Sequence, residues 1–134
     1  MKTEPKGKYF LSSSSKDKVR PFCYNVSMTR LAVMSDLHID LNHFETYEID
    51  TLIKCLKDQK VTHLHIAGDI SNHYFIDTKP FLHKLSKEVK VTSNLGNHDM
   101  LDLEDDLIDN LDFQVIDLGN MTLLAFHGWY DYSY

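Results

Sequence analysis

The sequence predicts an α/β fold built on a parallel sheet. Three short apolar runs alternate with two amphipathic stretches between residues 31 and 95, which is the pattern of strand, helix, strand, helix and strand. Because parallel strands need a crossover between them, this order predicts a right-handed βαβαβ unit. Each apolar run also ends in residues that favour a turn, namely Ser35-Asp36, Gly68-Asp69 and Gly96-Asn97.

The predicted strands cover residues 31–34, 61–67 and 90–95. The first is a continuous apolar run, as expected for a strand that is buried on both faces. The second and third are closed by Gly68 and Gly96. Beyond them, residues 114–118 and 121–126 flank Gly119-Asn120, which is typical of the turn of a β-hairpin.

The predicted helices are amphipathic. Residues 45–60 carry apolar side chains at helical spacing with charges on the other face. Pro80 suits the start of a second helix, whose apolar stripe would be Phe81, Leu82, Leu85 and Val89. A short acidic helix is predicted over residues 103–111.

Residues 1–27 differ from the rest of the chain. They contain six basic side chains and the run Ser12-Ser13-Ser14-Ser15, a composition that buries little apolar surface and predicts a disordered basic extension. Met28 leads directly into the first predicted strand. We therefore expect the folded domain to span residues 28–134 and the natural start to be Met28.

The charge balance is acidic, with a formal net charge of −6. A broad nucleic-acid-binding surface needs clustered Lys and Arg, so nucleic acid is expected only as a possible substrate. No apolar run approaches the roughly 20 residues of a membrane span, and the N-terminus lacks the apolar core of a secretory signal. With two cysteines read as free thiols, a cytoplasmic location is expected.

Residues able to bind a metal follow each of the three strands. Ligands bind at the carboxyl ends of parallel strands, which share one edge of the sheet, so these side chains should lie together. Carboxylate and imidazole groups suit Mn²⁺, Fe, Zn²⁺ or Ni²⁺. Taken singly, Asp36 and Asp69 are equally typical of turns. The candidates in this predicted site are Asp36, His38, Asp69, Asn97 and His98.

The order Asp-x-His, Gly-Asp and Gly-Asn-His-Asp resembles the calcineurin-like metallophosphoesterase superfamily over residues 28–134. The resemblance implies a β-sandwich flanked by helices, with four layers α/β/β/α in the full family, of which this chain would hold the parallel βαβαβ half. It also implies hydrolysis of phosphate mono- or diesters by a site with two divalent metal ions.

The resemblance assigns roles to individual residues. Asp36 and His38 would hold the first metal, Asp69 would bridge both metals, and Asn97 would hold the second. As catalytic residues, His98 would protonate the leaving oxygen or stabilise the charge on the phosphoryl group, and Asp99 would orient His98 by accepting its other ring proton.

The family pattern continues with a lone His and a Gly-His-x-His, and neither is clear before Tyr134. The chain is thus expected to be truncated, which leaves a non-catalytic remnant or a metal-dependent interaction module as alternatives. An incomplete sandwich would expose its sheet, so self-association is also expected. His127 could stand for the lone His or belong to a different segment, and both interpretations stay open.

The remaining histidines have simpler interpretations. His63 and His65 are predicted to be strand residues rather than metal ligands, because the chain is too short for the barrel fold in which such a pair binds zinc. The predicted surface or loop histidines are His43, His73 and His83, of which His73 should border the site.

Overall fold

The computed structural model describes residues 28–128, so the predicted extension at 1–27 and the aromatic segment at 129–134 lie outside the described residues. In chain order the elements are β1 (Leu31–Met34), α1 (Thr46–Asp58), β2 (His63–Ala67), α2 (Lys79–Ser86), β3 (Lys90–Asn94), α3 (Asp105–Asp112), β4 (Gln114–Asp117) and β5 (Thr122–Ala125).

The first three strands form a parallel sheet in the order β1-β2-β3. Met34 pairs with Ile66, which in turn pairs with Ser93, so the three strands end at the same edge. The predicted parallel βαβαβ unit is confirmed. β4 and β5 pair antiparallel as a separate two-stranded sheet, and Gly119 takes the positive φ of +85° in their turn, as the hairpin prediction required.

The hydrophobic core lies between the sheet and the two helices α1 and α2. Successive side chains of a strand point to opposite faces, and those of β2 are buried on both faces. Leu64 and Ile66 have no exposed surface and pack in the cluster that contains Leu56 of α1 and Leu85 of α2. The alternate β2 side chains, which include two histidines, therefore lie on the opposite face of the sheet.

One element was not predicted. A π-helical turn, Tyr74–Thr78, directly precedes α2, and Pro80 is the second residue of α2. Such turns are rare and occur mostly near functional sites. Its last residue is tied to the loop after β2, because the Ser71 and Thr78 hydroxyls lie 2.7 Å apart in a buried hydrogen bond. A five-residue turn without its own periodicity gives no signal in the sequence.

The hairpin and β1 leave apolar side chains exposed, so the expectation that β1 is buried on both faces is wrong. Val33, Val115, Leu124 and Phe126 are each more than half exposed, and Phe113 stacks on Phe126 with ring centroids 6.3 Å apart. This exposure is what the prediction of self-association would require, and self-association itself stays a prediction. Within residues 28–128, no helix has both the length and the apolar character to cross a membrane.

We expect Leu64→Ala to lower the free energy of unfolding by about 2–5 kcal/mol, because it leaves a cavity in a close-packed core. Urea denaturation followed by circular dichroism measures the change. Leu101→Ala is the matched control, since Leu101 is 69% exposed and its truncation should cost about 0.5 kcal/mol or less. Equal losses in the two variants would contradict the assignment of the core.

Candidate metal centre

The three polar motifs meet at the carboxyl edge of the parallel sheet. The ligand atoms of Asp36, His38 and Asp69 all lie within 4.8 Å of one another. Asp69 and Asn97 line one cavity of about 350 Å³ that also extends along β5. The sequence placed these four residues at neighbouring strand ends, and the structure places them there.

The backbone is strained at three of the predicted ligands. Asp36, His38 and Asp69 have φ values of +57°, +40° and +54°, in the left-handed region that favours glycine. Five non-glycine residues of the described chain share this conformation, and three of them are these candidates. Each costs on the order of 1–3 kcal/mol and persists only where its surroundings hold it, so three such residues at adjacent strand ends make this edge a candidate functional site.

Backbone hydrogen bonds tie the loop after β1 to the loop after β2. The Asp36 N–H donates to the carbonyl of Gly68 at 3.2 Å, and the His38 N–H donates to that of Asp69 at 3.1 Å. The Ile39 N–H then donates to Ile70 at 2.8 Å. These bonds extend the parallel pairing past the strand ends and hold the two loops in register.

Asp99 ties the loop after β2 to the loop after β3. Its carboxylate is 1% exposed and accepts four backbone N–H groups. Oδ2 accepts from Asp69 at 2.6 Å and from Gly96 at 2.8 Å, while Oδ1 accepts from Ile70 and Ser71 at 2.9 and 3.2 Å. Burial raises the pKa of the Asp99 carboxyl, against which the four N–H groups act to lower it.

The predicted contact between Asp99 and His98 is therefore wrong. Both Asp99 oxygens are engaged by backbone N–H groups, and the His98 ring contacts Asn72 instead, with Nδ1 lying 2.6 Å from Oδ1 of the amide. Because an amide oxygen can only accept, His98 Nδ1 carries the proton of this bond. The His98 ring also meets His38 edge-on, with ring centroids 4.6 Å apart.

Asn72 is the residue that the sequence interpretation missed. It follows Asp69 by three positions, on the same motif loop. The signal available in the sequence was the position of this polar side chain, close to the Gly-Asp motif. Asp99, next to His98 in the chain, looked like the better partner.

The backbone of the loop after β3 lies against the Asp69 side chain and holds it in place. Its Oδ1 accepts the His98 N–H at 3.0 Å. A Cβ on Gly96 would lie 2.2 Å from the same Oδ1, and a Cβ on Gly68 would lie 2.6 Å from the Gly96 nitrogen. Glycine is required at both positions, because any larger residue would push the two motif loops apart.

The donor set fits a divalent cation. His38 Nδ1 is buried and has no hydrogen-bond partner among the described residues, although a buried ring nitrogen normally has one. Beside it, the carboxylates of Asp36 and Asp69 repel each other at this spacing. A cation would satisfy the nitrogen and offset the repulsion, and the mixture of carboxylate and imidazole suits the first-row metals named above.

The other histidines divide into three groups. His63 and His65 lie in β2, as predicted. His127 lines the cavity, but its Nδ1 pairs with the Asp112 carboxylate and its N–H donates to the same oxygen at 2.7 Å, so whether it binds metal stays open. His43, His73 and His83 are exposed. Of these, His73 has a ring nitrogen within 4.8 Å of carboxylate oxygens of Asp40 and Asp77.

A parallel sheet whose strand ends gather two carboxylates and an imidazole defines an α/β protein with a candidate metal site. The sequence profile of the calcineurin-like phosphoesterase superfamily domain matches residues 29–134, and the chain belongs to this superfamily. The parallel sheet with its three helices is consistent with a partial calcineurin-like fold. A comparison with curated proteins returned no match.

We expect Asp99→Asn to lower the free energy of unfolding by about 1–3 kcal/mol for each buried N–H left without an acceptor, because the amide nitrogen cannot accept. Urea denaturation measures the loss. Asp109→Asn is the matched control: Asp109 is exposed on α3, and its substitution should change stability by about 0.5 kcal/mol or less. An Asp99→Asn protein as stable as the control would contradict the role of Asp99 as acceptor of these N–H groups.

We expect Gly96→Ala to weaken Mn²⁺ binding by at least about tenfold, since the new methyl group occupies the position of the Asp69 carboxylate. Isothermal titration calorimetry measures the affinity. Gly119→Ala is the control: it strains a turn at φ +85° but meets no atom within 4 Å, so its Mn²⁺ affinity should equal that of the parent protein. Unchanged affinity in Gly96→Ala would contradict the placement of Asp69 in the site.

Proposed function

We propose that this protein is a metal-dependent phosphoesterase whose site is the cluster at the carboxyl edge of the sheet. The convergence of Asp36, His38 and Asp69, with ligand atoms within 4.8 Å of one another, carries the proposal. Membership of the calcineurin-like superfamily supports the same reaction class. The substrate would be a phosphate monoester or diester.

The residues that would hold the metals are those assigned by the resemblance. Asp36 and His38 would bind the first ion, Asp69 would bridge, and Asn97 would bind the second. When bound, such a pair of divalent ions lowers the pKa of a shared water and neutralises charge on the phosphoryl oxygens. The ions would be Mn²⁺, Fe, Zn²⁺ or Ni²⁺.

The side chains around the metals would orient the Asp69 carboxylate and protonate the leaving oxygen of the substrate. The His98 N–H holds Asp69 Oδ1 at 3.0 Å, so the bridging carboxylate has one orientation. Oδ1 of Asn72 accepts a hydrogen bond from the Nδ1–H of the His98 ring. If the ring carries a second proton, on Nε2, that proton would pass to the leaving oxygen of the substrate, while Nδ1 keeps the proton that it donates to Asn72.

Asn72 also gives His98 a particular electrostatic environment. A carboxylate partner would favour the imidazolium form of the ring, whereas the neutral Asn72 amide orients the ring without adding a charge. Asn72 is therefore a positioning residue in this proposal.

We expect the protein to hydrolyse p-nitrophenyl phosphate or bis-p-nitrophenyl phosphate when Mn²⁺ is added. Asp69→Asn should lose more than the roughly 100-fold that the outer partners of metal ligands typically cost, because it would remove the carboxylate shared by both ions. Release of p-nitrophenolate, monitored by its absorbance, gives the rates, and the ratio of diester to monoester rates defines the preferred substrate.

The matched control is Asp117→Asn, which changes an exposed carboxylate on the hairpin and should leave the rate unchanged. Mn²⁺ affinity is measured on the same samples. Hydrolysis that survives Asp69→Asn would disprove the site. Tight Mn²⁺ binding without hydrolysis of either ester would instead favour the alternative of a metal-dependent interaction module.

A further inference from the structure

The face of the sheet opposite the helices carries a buried chain of polar side chains. His63 and His65 of β2 are each 2% exposed, and both rings contact the hydroxyl of Thr92 in β3. The other nitrogen of His65 lies 3.0 Å from Oδ1 of Asn94. The phosphoesterase proposal above uses none of these groups.

The hydrogen bonds of Asn94 fix the direction of the chain. Its Nδ2 donates to the carbonyls of Leu95 and Phe126, at 3.3 and 3.2 Å. Its Oδ1 must therefore accept, which places the proton of His65 on Nε2. A neutral His65 then has a lone pair on Nδ1, and the Thr92 hydroxyl donates to it at 2.9 Å.

The same reasoning places the proton of His63. Because the Thr92 hydroxyl has only one proton, it must accept from the second imidazole, and His63 Nε2 donates to it at 2.8 Å. His63 Nδ1 is then the unprotonated end of the chain. It is buried and has no hydrogen-bond partner among the described residues.

The chain fits together only when both imidazoles are neutral. A second proton on His63 would place an N–H on the buried Nδ1, where residues 28–128 offer no hydrogen-bond partner. A second proton on His65 would reach Nδ1, where the Thr92 hydroxyl now donates, and would break that hydrogen bond. Either step adds a charge to a site almost without solvent contact, which is costly.

The chain lies against the β4–β5 hairpin at both ends. Asn94 donates to Phe126, directly after β5. At the other end, His63 lines a recess together with Asp117, Leu118 and Gly119 at the hairpin turn. Two further hydrogen bonds attach the hairpin, from Gln114 to the Ser93 carbonyl and from Thr29 to the Leu118 carbonyl.

We propose that the His63–Thr92–His65–Asn94 chain makes attachment of the hairpin to the sheet dependent on pH. The hairpin stays attached while both imidazoles are neutral and separates as the pH falls and the chain takes up a proton. The charged and titratable groups that face the chain are Lys90 of β3, Asp117 of β4 and, around the cavity beside His65, Asp69 and His127.

The direction of the pH effect follows from His63. Burial, then Lys90, then His65 lower the pKa of His63 from its ordinary value. As the pH falls through about 6.5, the unfolded or detached histidine takes up a proton before the attached one does. The stabilisation is thus complete above this pH and is lost as the pH falls toward the lowered pKa.

The first test is nuclear magnetic resonance of the ¹⁵N-labelled full chain. At pH 7.5, a pH chosen about one unit above the ordinary histidine pKa, both rings should show the Nε2–H tautomer. On acidification, the ring signals of His63 should change together with the amide signals of β4 and β5, at one shared midpoint. An Nδ1–H tautomer in either ring, or protonation that leaves the hairpin signals unchanged, would overturn the proposal.

The second test compares urea unfolding of His63→Gln and of the control His83→Gln across the same pH range. In the parent protein, the unfolding constant should rise as the pH falls, by up to about tenfold per pH unit for each histidine that takes up a proton on unfolding. In His63→Gln, the slope of the unfolding constant against pH should correspond to one proton fewer. In His83→Gln, this slope should equal that of the parent protein. An unchanged slope in a folded His63→Gln protein would also overturn the proposal, and if that variant does not fold, the tautomers and midpoints of the parent protein decide.

Discussion

Four backbone N–H groups from two loops converge on the carboxylate of Asp99, and the candidate metal centre depends on this contact. Two of the donors, Asp69 and Gly96, belong to different strand ends. A hydrogen bond to a charged group contributes about 1.5–3 kcal/mol, so the set stabilises a conformation that neither loop would hold alone. Oxygen atoms of one buried side chain thereby set the distance between the Gly-Asp and Gly-Asn-His-Asp motifs.

The strain at the ligands is intelligible once this contact is present. Asp69 adopts a left-handed φ of +54° while its own N–H donates to Asp99. Asp36 and His38 are held in the same region of φ by backbone bonds to Gly68 and Asp69. The cost of three unfavourable backbone conformations is offset by hydrogen bonds from the neighbouring loop, and the result brings three ligand atoms within 4.8 Å of one another.

Periodicity and motif order were sufficient to predict the parallel sheet, the hairpin and the convergence of Asp36, His38 and Asp69 at the candidate metal centre. These features depend on local patterns: apolar runs set the strands, and the parallel topology brings their ends together. The partner of His98 could not be obtained in this way. Asp99 adjoins His98 in the chain, yet its side chain points to the backbone of the neighbouring loop, and Asn72 reaches the ring across 26 positions. Such a choice depends on how two loops cross in space.

The same limit applies to the histidines of β2. Their alternation with Leu64 and Ile66 predicts a strand with two different faces, and it says nothing of Thr92, which lies between the two rings. The partner is set by register, because His65 pairs with Thr92 across β2 and β3. A shift of one position would remove Thr92 from this face of the sheet and leave two buried imidazoles without a shared hydroxyl.

Metal binding and folding are coupled in such a site. The Asp36 and Asp69 carboxylates and the unpartnered His38 Nδ1 lie on loops that are tied together by backbone bonds. A cation that binds the folded arrangement and not the unfolded chain stabilises the fold by RT ln(1 + [L]/Kd). The repulsion and the unsatisfied nitrogen are then costs of the metal-free protein, which the cation removes. A divalent cation at the carboxyl edge of the sheet would thus stabilise the fold as well as complete the candidate site.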